Sequence, residues 1–191
     1  MPIGPILEAA GEAQKFLERH DAKFCFIGGV AVQRWGEPRF TRDADLSLLT
    51  EFVEDEKWVD LLLGSFVARY PGAREFALQR QVLLLKASNG TDLDISLGGL
   101  PFERNCIARA SRWFFEDDSY LLTCSAEDLI VHKAFADRPL DWVDIERVIM
   151  RQGTSLNTRQ ILRELRPLAE LKEQPDIVTR LKKLIGKRRE L

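Results

Sequence analysis

Apolar residues recur along this chain in two rhythms, about 3.6 residues for helices and two for strands, and each change of rhythm marks a new element. Ile6, Ala9, Ala10, Ala13, Phe16 and Leu17 share one helical face, so residues 6–20 are predicted as a helix entered at Pro5. Residues 23–27 form a short, largely apolar strand that ends at Gly28-Gly29. A brief helix follows over 29–35, packed by Val30, Val32 and Trp35. The chain turns at Gly36-Glu37-Pro38 and returns as a strand over 43–49. Helical spacing resumes over 52–70 through Trp58, Val59, Leu62, Phe66 and Val67, and Pro71-Gly72 stops it. Residues 76–87 look strand-like, with the run Val82-Leu83-Leu84-Leu85 predicted to be buried on both faces. Ser88-Asn89-Gly90 turns this strand into an antiparallel partner over 91–97.

The second half of the chain is mostly helical. Residues 101–110 read as a helix, and 113–115 with 120–123 as a small hairpin around the acidic turn Glu116-Asp117-Asp118-Ser119. Ser125-Ala126-Glu127-Asp128 carries a capping signal and opens a helix to 137. Pro139 starts the next, through about 150. Two further amphipathic helices are predicted over 158–171 and 176–185, the first kinked or ended at Pro167. The expected fold is α/β of the α+β type: a small mixed β-sheet flanked by helices over 1–124, then an all-helical part over 125–191.

Composition narrows the class without naming a function. A hydrophobic fraction of 45% and a charged fraction of 30% suit a globular chain that can bury a core. No apolar run approaches the roughly 20 residues needed to cross a bilayer. The opening Met1-Pro2-Ile3-Gly4-Pro5 lacks the basic-then-apolar order of a signal peptide, so a cytoplasmic location is expected. Cys25, Cys106 and Cys124 are odd in number and widely spaced, which reads as buried free thiols. Charge is uneven: residues 151–191 hold 11 basic against 5 acidic residues, and the rest hold 17 against 25. A basic C-terminal segment permits an anionic partner, and it equally describes a solvated helix face.

The chemistry concentrates around the diglycine. Asp43 and Asp45 are separated by one strand residue, so both side chains point to the same face. Two like charges beside apolar residues are costly without a cation, and an all-oxygen ligand set suits Mg²⁺. Asp94, on the strand after the Ser88-Asn89-Gly90 turn, is the candidate third carboxylate, with Asp92 on the same face as its competitor. Three convergent carboxylates supply ligands for two Mg²⁺ ions about 4 Å apart, and the third is placed to accept a proton from an attacking hydroxyl. Gly28 and Gly29 would let backbone approach a triphosphate, with Arg39 and Thr41 as phosphate contacts. Farther along, Lys133 and Asp141 each project from an apolar helical stripe, and inward charges need each other or a ligand. The plainer readings pair Lys133 with Asp137, and Asp141 and Asp144 with Arg138 and Arg147.

Gly28-Gly29, thirteen intervening residues, Asp43-Ala44-Asp45-Leu46 and then Leu93-Asp94-Ile95 resemble the signature of the DNA polymerase β-like nucleotidyltransferase superfamily. The stretch Arg39-Phe40-Thr41-Arg42-Asp43-Ala44-Asp45 is similar to the version in minimal nucleotidyltransferases and the AbiEii toxin group, with Ala44 where a β-branched aliphatic is more usual. The resemblance continues over 125–145, and the last forty residues contribute nothing to it. It implies a nucleotidyltransferase fold, a catalytic core over 1–124, and Asp43, Asp45 and Asp94 as catalytic metal ligands. It also implies that Lys133 contacts the nucleotide phosphates or the transition state, with Asp141 supporting it or the base. The implied activity is Mg²⁺-dependent transfer of a nucleoside monophosphate from an NTP to an acceptor hydroxyl, releasing pyrophosphate. The acceptor would be an RNA 3′ end (tRNA included), a protein or a small molecule, and a cognate antitoxin is an implied partner. The alternative is a non-catalytic nucleotide-binding or protein-interaction module on the same fold.

Overall fold

The computed structural model describes residues 4–116 and 118–187. Asp117 and the first three residues, which entered the hairpin and leader expectations, lie outside the described residues, as do the last four of the basic segment. The chain forms two compact units: residues 1–30 with 40–124, and residues 31–39 with 125–191.

The first unit is a seven-stranded mixed sheet with helices. In chain order it holds α1 (Pro5–Arg19), β1 (Phe24–Phe26), the start of α2 (Gly28–Trp35), β2 (Asp43–Leu49), α3 (Asp55–Leu63) and β3 (Val67–Ala68). There follow α4 (Ala73–Arg80), β4 (Val82–Lys86), β5 (Asp92–Gly98), α5 (Pro101–Ala108), β6 (Ser111–Glu116) and β7 (Ser119–Thr123). The strand order is β3-β4-β5-β2-β1-β7-β6. The two central strands, β2 and β5, run parallel, while β4 pairs antiparallel with β5 as the Ser88-Asn89-Gly90 turn requires.

Alternation along β2 and β5 sorts core from site. Ala44, Leu46 and Leu48 with Leu93, Ile95 and Leu97 are almost wholly buried, against Ala9, Ala13, Phe16 and Leu17 of α1 and Trp58, Val59 and Leu62 of α3. Each such leucine or isoleucine stabilises the fold by about 1.5–3 kcal/mol relative to exposure. The intervening residues, Asp43, Asp45, Asp92 and Asp94, are left on the opposite face. Farther along that face, Cys25 of β1 lies with its Sγ 3.7 Å from that of Cys106 on α5. All three cysteines are buried, and none is in a disulfide.

Three expectations fail here. Residues 52–70 do not make one helix: α3 stops at Leu63, capped by Gly64, and the edge strand β3 follows. Residues 76–81 are not strand: α4 runs from Ala73, behind Gly72 at φ 81°, a left-handed conformation that glycine adopts without steric cost. Its buried residues are Ala73 and Ala77, four apart, too small to register as an apolar stripe. In β4 the run is buried on one face chiefly, through Leu83 and Leu85.

The second unit contains α6 (Ala126–Ala136), α7 (Pro139–Gln152), α8 (Thr158–Leu171) and α9 (Asp176–Lys187), together with the rest of α2 and the segment after it. Ser125 caps α6 by accepting from the Asp128 amide at 3.1 Å. Leu129, Ile130, Ala134, Ile145, Val148, Ile161, Leu165 and Leu181 are fully buried. Gln152 Nε2 donates to Trp35 O at 2.7 Å, and Arg151 donates to Gly36 O, fastening the α2 end to α7. Helix α8 continues past Pro167 to Leu171, so the proline does not end it. Pro167 and Arg163 both sit on its exposed face, where water can serve the carbonyl left without a donor. Among the described residues, no helix is long and apolar enough to cross a membrane.

Candidate metal and nucleotide site

The parallel register of β2 and β5 sets Asp43 against Asp92 and Asp45 against Asp94, so four aspartates share one face of two neighbouring strands. Asp43, Asp45 and Asp94 each offer an oxygen within 4.8 Å of the others, and all three are partly exposed. That separation and all-oxygen chemistry fit a hard divalent ion such as Mg²⁺. Burial holds the Asp94 carboxyl above the ordinary aspartate value; Arg69 opposes this, and the charges of Asp43 and Asp92 reinforce it.

Gly28 lies against Asp45, and Gly29 against Thr41. Gly28 has φ +52°, and a Cβ there would come within 2.5 Å of the Asp45 Cγ. A Cβ on Gly29 would come within 2.8 Å of the Thr41 Cβ. Bare backbone is therefore required where α2 begins, and the Gly29 amide faces Asp45 Oδ2 at 3.4 Å. Thr41 donates to Asp43 Oδ1 at 3.0 Å and is largely buried. It fixes that carboxylate's orientation.

Arg69, just after β3, was not anticipated from the sequence. Its Nη1 donates to Asp94 Oδ1 at 2.5 Å and lies 3.6 Å from Asp92 Oδ2. Lys86 on β4 contacts Asp92 Oδ1 at 2.7 Å. The sequence signal for Arg69 was hidden by reading its segment as the end of a long helix.

The other anticipated residues belong to the second unit and are brought together there. Lys133 is 4% exposed, with Nζ 3.0 Å from Asp141 Oδ1 and 2.7 Å from Asp144 Oδ2. The inward lysine and aspartate thus meet each other. Arg39 adds two donors to Asp144, Nε to Oδ1 at 2.9 Å and Nη2 to Oδ2 at 2.8 Å. Arg138 reaches Asp141 Oδ2 through Nε at 2.7 Å. Burial alone would raise both carboxyls, but Arg138 and Lys133 at Asp141, and Arg39 and Lys133 at Asp144, bring them below the ordinary aspartate value. The expected partners differ in detail: Arg147 pairs with Glu37, and the Asp137 carboxylate accepts from Trp142 Nε1 at 2.6 Å, while only its backbone amide meets Lys133, donating to the carbonyl at 3.0 Å. Asp144, for which the sequence suggested only an arginine partner, is the hub, held by both Arg39 and Lys133.

No protein-family model matches the sequence, and no curated protein matches it. Solved structures do resemble it. The crystal structure of an antigenic nucleotidyltransferase-like protein from Paracoccidioides brasiliensis aligns over 93% of this chain and 92% of its own, at 17% identity and a TM-score of 0.53. The solution structure of the antibiotic-resistance factor ANT(2'')-Ia aligns over 87% of this chain and 92% of its own, at 15% identity and a TM-score of 0.48. The first likeness is one of fold: this chain folds as that nucleotidyltransferase-like protein does, nearly end to end.

Proposed function

We propose that this chain is a divalent-metal-dependent nucleotidyltransferase that moves a nucleoside monophosphate from an NTP to an acceptor hydroxyl. The observation that carries this reading is the convergence of Asp43, Asp45 and Asp94 within 4.8 Å beside a diglycine turn that tolerates no Cβ. These three carboxylates would hold Mg²⁺, in the two-ion arrangement that shared ligands permit. When bound, such ions neutralise triphosphate charge and the charge that develops on the attacking and leaving oxygens.

The protein's own groups do the rest. Gly28 and Gly29 seat the triphosphate at the start of α2, where backbone N–H groups favour anions. Thr41 fixes Asp43. Asp94, whose carboxyl burial keeps above the ordinary value, takes the proton of the acceptor hydroxyl. The acceptor oxygen forms a bond to the α-phosphorus, the bond to the β-phosphate oxygen breaks, and pyrophosphate departs with the electron pair. Catalysis of this kind is chiefly positioning and electrostatics. Lys133, Asp141 and Arg39 enter as positioning residues, because each is already engaged in the buried ion network.

The likeness of the stretch from Arg39 to Asp45 to minimal and AbiEii-like enzymes supports an RNA 3′ end, tRNA included, as acceptor and a cognate antitoxin as partner. Exposed Arg159, Arg163 and Arg166 on α8 support an anionic acceptor as well. Three buried cysteines outside any disulfide support a reducing, cytoplasmic setting.

The test is label transfer. Each α-³²P-labelled NTP is incubated with the protein and Mg²⁺, with total RNA and without. Transfer by the wild type and its loss in an Asp43→Ala/Asp45→Ala double variant support the proposal. A folded wild type that binds NTP and transfers no label to RNA, protein or small molecule favours the non-catalytic module instead.

A further inference from the structure

Arg69 holds the one carboxylate of the triad that comes from β5. Its Nη1 donates to Asp94 Oδ1 at 2.5 Å, and its side chain is 27% exposed, as is that of Asp94. The guanidinium approaches from beyond β4, anchored by the Arg69 amide bond to Leu84 O at 3.1 Å. Leu84 is the register partner of Asp94, so the backbone fixes Arg69 opposite this carboxylate. A second acceptor waits nearby: Asp92 Oδ2 lies 3.6 Å from the same Nη1. Asp92 stands two residues before Asp94 on the same strand face and already engages Lys86.

We propose that Arg69 is a displaceable counter-ion of Asp94, a positioning residue that occupies the carboxylate in the metal-free protein and passes to Asp92 when a divalent ion enters. This rests on the metal-site reading of Asp43, Asp45 and Asp94. A cation and a divalent ion compete for one carboxylate, since each repels the other at short range. Asp92 gives the released guanidinium a partner, so displacement does not strand a half-buried charge. The arrangement sets divalent affinity and keeps Asp94 engaged until metal arrives. It also assigns a task to Asp92, the fourth aspartate of the face, outside the triad itself.

The consequence is a gain of binding on removing a positive charge. Mn²⁺ binding to the full chain is followed by the loss of the free-ion EPR signal. The Arg69→Gln variant is expected to bind about tenfold more tightly than wild type, which corresponds to about 1.4 kcal/mol. Arg69→Lys, which keeps the charge, should stay within about threefold of wild type. Asp92→Asn should weaken Mn²⁺ binding, because the displaced guanidinium loses its second anionic partner. A merely structural Arg69 would move none of these affinities upward. Equal or weaker binding by a folded Arg69→Gln variant, with binding still abolished by Asp45→Asn, overturns the counter-ion role and leaves the metal site standing. Absence of Mn²⁺ binding in both wild type and Arg69→Gln overturns the metal reading itself. Circular dichroism and melting of each variant confirm that it is folded before it is compared.

Discussion

Asp45 of β2 and Asp94 of β5 are direct register partners in adjacent parallel strands, so two carboxylates far apart in sequence face the same way as neighbours. Their closeness follows from backbone pairing and needs no side-chain rearrangement. Burial, and less strongly the charges of Asp43 and Asp92, work against ionised Asp94, and Arg69 offsets part of this.

Asp94→Asn should therefore stabilise the metal-free protein while removing activity. The Asp94 carboxyl is raised by burial first, with Arg69 opposing and Asp43 and Asp92 adding. A raised folded-state value means that its stability contribution is present below the unfolded value of 3.8 and is lost as pH rises through the folded one. The variant should melt about 2 °C higher than wild type at pH 7, with the gap closing near pH 4. A lower melting temperature at pH 7 would contradict this.

Asp144 is the hub of the buried network, fully buried between Lys133 and Arg39. Replacing it by alanine leaves both cations without that partner. Asp144→Ala should cost about 3–5 kcal/mol in urea unfolding. A loss under about 1 kcal/mol would show the network to be peripheral to stability.

The acid limb of stability should also track this network. Asp141 and Asp144 are pushed up by burial and pulled down further by Arg138, Arg39 and Lys133, with a net lowering. Lowered folded-state values contribute stability above the unfolded value of 3.8, lost as pH falls through the folded values. Circular dichroism should show helix lost below about pH 3.8 in wild type, and a shallower pH dependence in Asp144→Asn.

Gly28→Ala tests the diglycine turn. The φ of +52° costs an L-residue roughly 1–2 kcal/mol, and the added methyl must displace the Asp45 carboxyl. Gly90, at φ +82° with open space around it, is the control. Both alanine variants should lose stability, but only Gly28→Ala should lose Mn²⁺ binding. Equal loss of binding in the two would point to a general effect of backbone strain.

How much of this was legible in the sequence varies by residue, and the reasons are physical. Strand β2 was readable to the residue because Ala44, Leu46 and Leu48 alternate with polar positions. That alternation put Asp43 and Asp45 on one face, whereas the meeting of Asp94 with them was conditional, because it rests on the parallel β2–β5 register, a non-local pairing. Arg69 was not readable: a two-residue edge strand has no period, and its apolar flank Phe66-Val67 continued the helical spacing of α3. The α4 helix was misread because alanines hold its buried face. Lys133 was legible as an inward charge, but its choice between ligand and neighbour depended on Asp144, whose contact with it comes from the packing of α6 on α7 and not from spacing.

The most direct test of the acidic centre is an anomalous-difference map from crystals grown with Mn²⁺ and a non-hydrolysable NTP. The account predicts a strong Mn²⁺ peak with oxygen ligands from Asp43, Asp45 and Asp94, with triphosphate near Gly28 and Gly29. A map whose ordered Mn²⁺ ions touch none of these three carboxylates would contradict it.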